Sequence, residues 1–422
     1  MKKKRRFVVC IVVGVLLVLA FTIFIFGVLH RKGSFRIKEG ANILWYNQPS
    51  AEFFAGEKQR SYYSFLSKNM DICIAAYDHN LKEFLKTTII QEHIGSLDDH
   101  AAPSMIIVNN GIEKGKIIVA YSHHDSPLFI QRSMNAEDIT EFEDKIVIDS
   151  GECTYPRMSY LDDGSIIVIY RKQIGNTDVL PKRTETLFYS RSFNNGKDWT
   201  EPVKIIDIES GEWVYAGPIT TCKNNIYIAF GLYSPEKERI KDVRFFTFNV
   251  ETAKGGFGNS FTELPISIDN TELIYKTIEK EQEDRVWDIK IIDEIPEISF
   301  SSTIQDVCTL HVARLVNEKW VISDVAEGGM MYYPAGIVID EKDLNNVTIG
   351  VMHNGISEIE EWTTRDFKTW EREKTITNNS NINQFRPQYV KNYNKEFRYI
   401  WLSGEVYNKW TDFDTDLNCY ME

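Results

Sequence analysis

Apolar residues along this chain come in runs of two very different lengths. Residues 7–29 (FVVCIVVGVLLVLAFTIFIFGVL) are 23 consecutive positions without a charge, long enough to cross a bilayer as one helix. Later runs are short: DICIAAY at 71–77, KIIVAY at 116–121, SIIVIY at 165–170, NIYIAF at 225–230 and VTIGV at 347–351. Each is too short for an amphipathic helix and rich in β-branched and aromatic residues, which predicts strands. Asn110-Gly111, Asp163-Gly164 and Asn195-Gly196 lie before or between such runs, and these pairs favour tight hairpin turns. Helical segments do not alternate with the strands, which argues against a parallel α/β sheet. The pattern predicts an all-β protein behind a single N-terminal transmembrane helix.

Charge sharpens that division. Of the 48 Lys and Arg residues, nine lie in the first 39 positions, where Glu39 is the only acid. From Gly40 onward 39 basic residues face 60 acidic ones, a balance of -21. A body this acidic argues against a nucleic-acid partner, because phosphate neutralisation needs clustered Lys and Arg. Lys2 to Arg6 precede the apolar run, so the positive-inside rule places the short N-terminus in the cytoplasm. A cleaved signal peptide is the alternative. The apolar stretch exceeds the usual signal core, and no small-x-small cleavage pattern follows it. The expected organisation is a cytoplasmic basic tail (1–6), a single-pass cell-membrane anchor (7–29), a polar linker (30–40) and an extracytoplasmic β domain (41–422).

Outside the apolar run, Cys73, Cys153, Cys222, Cys308 and Cys419 are odd in number and widely spaced. They read as buried small hydrophobes, with one disulfide as the alternative, and no zinc-ligand spacing or calcium motif is present. No cofactor is expected from these residues, and a structural calcium or zinc is left open because no motif commits to either.

Two segments repeat a turn motif. Residues 192–199 (SFNNGKDW) fit S-x-D-x-G-x-T-W with Asn194 for Asp and Asp198 for Thr; residues 363–370 (TTRDFKTW) keep Thr369 and Trp370 but lose the glycine. In this Asp-box the polar side chains bond the turn backbone and the Trp packs between strands. Such boxes mark blades of β-propellers and are structural. With many evenly spaced strands they favour a propeller of seven blades, or six if the loops are long.

Several polar clusters sit on or beside the predicted strands: Asp99-His100-x-x-Pro103, Tyr155-Pro156, Tyr170-Arg171, Val286-Trp287-Asp288, Glu358-Ile359-Glu360, Arg386-Pro387, the closing Trp401-Leu402-Ser403-Gly404 and residues 412–416. In this order they resemble the BNR-repeat propellers that include bacterial ulvan lyases and related polysaccharide lyases. The resemblance implies β-elimination at a uronic acid. A base takes the C5 proton, an acid protonates the leaving O4 oxygen, and an arginine neutralises the carboxylate. The family places that arginine 16 residues after a catalytic tyrosine, and Arg171 lies 16 after Tyr155. The resemblance therefore implies His100 as base, Tyr155 as acid, with the two roles exchangeable, and Arg171 as carboxylate clamp. It implies His124, with His123 as fallback, as the second site histidine, Tyr215 as a supporting tyrosine and Arg386 as a second anion contact. Glu358 and Glu360 alternate on a strand and read as ion-pair partners. Ala101 stands where the family has Asn, so an amide that would orient the imidazole or touch the sugar is missing.

The leading expectation is a membrane-anchored lyase acting on an acidic, uronate-containing polysaccharide. A non-catalytic glycan-binding propeller is the second reading, which Ala101 makes credible. A sialidase-type hydrolase is the third; it needs an Arg-Ile-Pro signature, and Arg36-Ile37-Lys38 departs from it at the last position.

Overall fold

A computed structural model describes residues 33–175, 182–235, 238–305, 307–328, 336–405 and 409–422. The expected anchor at 7–29 lies outside the described residues, and no helix among them is long and apolar enough to cross a membrane. The described residues are all-β, with only two single-turn 3-10 helices, Asp99–Ala101 and Ile268–Asn270.

Each short apolar run becomes a strand, and most are buried on both faces: Ile72–Asp78, Ile117–Tyr121 and the first six residues of Ile166–Ile174 are buried throughout. The reason is layering, because every antiparallel meander is stacked between two others and both faces of its middle strands leave water. Glu283–Ile292, Ile295–Ile304, Val307–Val316 and Lys319–Glu327 form one such four-stranded unit, and Ile337–Ile339, Asn346–His353, Ile356–Thr364 and Trp370–Thr375 form the next. Exposure rises outward: Ile337–Ile339 is wholly buried, whereas Trp370–Thr375 is mostly exposed.

The first strands of successive units touch one another. Ala51–Phe54, Ser104–Ile107, Ile146–Tyr160, Trp213–Cys222, Glu283–Ile292, Ile337–Ile339 and Asn383–Asn394 follow in turn, and the last meets the first. They meet through a parallel pairing of Glu52 with Lys391. The result is a closed ring of sheets, the propeller-like arrangement expected. Gly33–Lys38, within the stretch read as a linker, is itself a strand and pairs antiparallel with Thr415–Met421 as the outer edge of the last unit.

The turn chemistry follows the sequence. Gly164 has φ of +82° and Gly196 of +81°, the left-handed region that glycine enters without steric cost. In the first box Ser192 Oγ accepts from Gly196 N at 2.8 Å, Asn194 Oδ1 accepts from Asp198 N at 2.9 Å and Trp199 Nε1 donates to Gly196 O at 3.1 Å. The second box is displaced by one residue from the expected register. Asp366 Oδ1 accepts from the backbone N–H of Lys368 and Thr369, each at 2.9 Å, and Phe367 takes the glycine's place with φ of +57°.

The inner strands are less regular. Register shifts interrupt them at 154/157, 216/219, 286/288 and 385/388, at or beside Pro156, Pro218, Trp287 and Pro387. Proline cannot donate to a ladder, so it settles at such bulges. The bulges place Tyr155 and Arg386 in the left-handed region, at φ +59° and +53°. Described cysteines are all unpaired, and four of the five are buried.

Candidate active site

A cavity of about 380 Å3 opens at the N-terminal ends of the inner strands, lined among others by Tyr46, His100, His124, Tyr155, Arg183, Tyr215, Arg285 and Trp410. Local geometry explains how the first histidine arrives there. Asp98 caps the turn Asp99–Ala101 by accepting from His100 N at 2.9 Å, and Asn47 Nδ2 donates to the carbonyls of His100 and Ala102. The turn stays fixed with Ala101 in place of an amide. His124 enters from the loop after Ile117–Tyr121, and Tyr155 from the bulge before Pro156.

Asp98 joins the two histidines. Its Oδ1 accepts from His100 Nδ1 at 2.6 Å and its Oδ2 from His124 Nδ1 at 3.0 Å. The rings lie parallel, 4.3 Å apart at 4°, with Tyr155 5.2 Å from His100 and the Trp410 edge 5.5 Å from it. Burial works to discharge His100, but its bonds to Asp98 and Asp99 prevail and push its pKa up to about 10. His124 moves the other way: burial and the charge on His100 outweigh Asp98 and lower it. One imidazolium and one neutral imidazole therefore share a carboxylate, which is itself held well below the usual range by both rings despite its burial. Asp98, His100 and His124 are also the described group whose donor atoms come within metal-binding reach of one another. Both Nδ1 atoms lie at hydrogen-bond distance from Asp98, an arrangement that suits proton transfer.

These residues belong to a longer chain of contacts between ionisable groups. Arg386 meets Asp99 at 3.5 Å, and Asp99 meets His100 at 3.2 Å. Beyond His124, Asp125 lies 3.9 Å away; Arg183 then bridges Asp125 and Glu185, each at 2.5 Å, and Glu185 meets Arg171 at 2.7 Å. Arg171 ends the chain with its guanidinium 4.6 Å from both the Tyr155 and Tyr215 rings.

The structure thus brings His100, His124, Tyr155 and Tyr215 to one cavity. Arg171, 2% exposed, lies behind its wall under the two tyrosines, and Arg386, fully buried, lies behind Asp99 and 4.9 Å from the Trp45 ring. Both arginines answer carboxylates of the protein itself. His123 turns away, bonding Ser96 O at 3.0 Å. Glu358 and Glu360 are structural partners: Glu360 meets His353 and Arg372, each at 2.8 Å, and Glu358 accepts from Ser380. Asp125, Arg183, Arg285 and Trp410 went unread in the sequence. The signal available was Arg183-Thr184-Glu185, two charges one residue apart and so on one face of a strand.

A family model described as a BNR repeat-containing family member matches residues 60–328. No curated protein matches the chain. Among solved structures, a polysaccharide lyase of family PL25, an ulvan lyase, superposes with a TM-score of 0.72 at 16% identity, covering 93% of this chain and 96% of that one. The same lyase has been solved bound to -[GlcA(1-4)Rha3S]- with the same figures. The polysaccharide lyase Uly1 follows, with a TM-score of 0.58 at 9% identity over 89% of this chain and 90% of that one. At these identities the likeness establishes a shared fold. The family match, spanning well over half of the sequence, establishes membership: this chain belongs to the BNR repeat-containing family.

Proposed function

We propose that this protein is a polysaccharide lyase that cleaves an acidic, uronate-containing glycan by β-elimination. The reading includes a seven-bladed propeller, the single-pass anchor at 7–29 and a catalytic domain outside the cytoplasm. The observation that carries the chemistry is the stacked pair of His100 and His124 sharing Asp98 beside Tyr155. Elimination needs a neutral base and a proton donor in one cavity. His124, kept neutral with Nδ1 on Asp98, retains Nε2 to take the C5 proton. The electron pair forms the C4–C5 double bond, the C4–O4 bond breaks, and the Tyr155 hydroxyl protonates O4. Proton return from His124 to Tyr155 resets the site.

Neutralising the uronate carboxylate falls to the imidazolium of His100 and to Arg183 and Arg285 on the wall. Arg171 acts one layer deeper in this reading. Its charge against the Tyr155 ring eases loss of the phenolic proton, which gives the 16-residue spacing a role without contact to sugar. The lyases that share the fold, one of them bound to a glucuronate-containing saccharide, support the substrate class.

A non-catalytic glycan-binding propeller is the second reading, favoured by the carboxylates of Asp99, Asp125, Glu238 and Glu283 on the cavity wall. Incubation with a panel of uronate polysaccharides separates the two. Lyase action yields an unsaturated product with new ultraviolet absorbance, lost in His124→Ala. Retention of glycan with no such absorbance from the unmodified protein would establish the binder.

A further inference from the structure

Aromatic rings line much of the histidine cavity, and most of them are packed against one another or against a guanidinium. Tyr155 meets His100, Tyr46 and Arg171, and Tyr215 meets Tyr46, Tyr233 and Arg171. Trp213 lies 4.9 Å from the Tyr233 ring and 5.1 Å from the Arg183 guanidinium. Trp410 differs. It is 43% exposed, and among the described residues lining the cavity it is the one large hydrophobic side chain left exposed.

Trp410 stands perpendicular to both imidazoles, 5.5 Å and 87° from His100 and 6.3 Å and 84° from His124. The two histidine rings are stacked on each other, and Tyr155 lies nearly parallel to His100 at 27°. A ring at right angles to a stacked pair, and at similar distances from both members, lies across their edges and leaves their faces alone. The main chain holds it there. Trp410 O accepts from Asp99 N at 2.9 Å, in the same turn that carries His100, and Asp412 N donates to Lys409 O at 3.0 Å to close the turn that carries Trp410. Phe413, three residues on, is buried in the largest hydrophobic core. Fixing an indole this firmly while leaving it exposed forgoes apolar burial at a place where a ligand can supply it.

We propose that Trp410 is a specificity-determining residue of this site, a platform on which an uncharged sugar joined to the reacting uronate packs by its C–H face. The inference rests on the uronate-glycan reading of the cavity and adds the neighbouring sugar that the cavity selects. A pyranose ring carries apolar C–H groups between its hydroxyls, and an indole face buries them. The same face is the negative side of the ring quadrupole, so it offers nothing to a sulfate or a carboxylate. The charged part of the substrate is met by His100, Arg183 and Arg285, which leaves the indole for a neutral ring.

Lyase kinetics on the full chain in detergent test this, with hyaluronan, desulfated ulvan, alginate and polygalacturonate as substrates and new ultraviolet absorbance as the readout. Cleavage should favour the first two, which alternate a uronate with a neutral sugar; cleavage confined to the last two, whose sugars are all uronates, overturns the proposal. On the glycan cleaved, Trp410→Leu keeps an apolar side chain but loses the planar face, and KM should rise about tenfold with a smaller fall in kcat. Trp410→Phe should recover most of that loss. Unaltered KM in Trp410→Leu, or equal losses in the two variants, overturns the platform. A measurement on the unmodified protein serves if the leucine variant fails to fold: saturating glycan should shield Trp410 from acrylamide quenching, a protection absent in Trp410→Phe, and quenching unchanged by glycan overturns the proposal. Failure of the lyase reading is seen separately. If the unmodified protein retains a glycan without cleaving it, the same variants are compared by affinity electrophoresis, where Trp410→Leu should weaken retention about tenfold and equal retention overturns the platform alone. Neither cleavage nor retention overturns both.

Discussion

Glu185, behind the histidine cavity, and Glu52, on the wall of a second cavity, are both buried glutamates, 1% and 3% exposed. Glu185 sits between two guanidinium groups, 2.7 Å from Arg171 and 2.5 Å from Arg183. Glu52 receives a backbone amide and an asparagine amide, and burial raises its pKa. The same ring of strands thus holds one carboxylate in contact ion pairs and the other by neutral donors, with the charge of Lys391 acting on it from outside ion-pair contact. Where a carboxylate sits between two guanidinium groups, each ion is compensated by its neighbours. Where it does not, burial raises the carboxyl's pKa and the charge of Lys391 opposes that rise.

The sharpest way to break this contrast is at the catalytic end. Tyr155→Phe should cut formation of the unsaturated product by about 10²–10⁴-fold, the usual scale for a lost general acid, with an unchanged melting temperature. Product formed at the original rate would remove Tyr155 from the mechanism. Next comes Glu185→Gln, which leaves Arg171 and Arg183 facing an uncharged amide. Breaking a buried pair this way costs about 3–5 kcal/mol, read as a fall in the denaturant midpoint. A shift as small as that of a surface substitution would show that the chain is not needed to hold these charges.

Stability should also depend on pH in a defined direction. His100 has a raised pKa in the folded state, so its contribution is complete below the unfolded value of about 6.5. That contribution is lost as pH rises towards about 10. Asp98, lowered by the histidines, contributes above its unfolded value and loses that contribution in acid. His100→Gln should flatten the alkaline limb of the melting-temperature profile, and an unchanged limb would mean that His100 is not held charged. The smallest effect is expected at Glu52. Glu52→Gln removes a charge that burial already disfavours, so the unfolding free energy should change by about 1 kcal/mol or less. A loss matching that of Glu185→Gln would erase the distinction between the two glutamates.

Legibility in the sequence followed burial on both faces. Runs such as 116–121 and 165–170 are apolar because their strands are sandwiched, and pattern alone found them. Inner strands such as Ile146–Tyr160 and Asn383–Asn394 carry Pro, bulges and polar side chains, so periodicity could not mark them. His100, His124, Tyr155 and Tyr215 were reached through motif order. Arg171 was also reached, but spacing along a chain does not say whether a side chain lines a wall or stands behind it. Arg183 and Asp125 escaped because their meaning lies in each other and in Glu185, contacts made only when separate sheets close. Phe367, where a glycine was wanted, shifted the second turn by a residue without abolishing it.

One pairing bears on how the molecule would respond to force. Gly33–Lys38 zips along Thr415–Met421, Gly33 opposite Met421 and Arg36 opposite Asn418. That strand is the clasp of the ring, and it is the first described segment after the proposed anchor. A body tethered there would hang from its own fastening, so a pull from the membrane would run into this ladder before any other strand. Optical-tweezer extension from the N-terminal side should therefore open the last sheet first, whereas removal of residues 1–38 would leave the edge of that sheet without its partner.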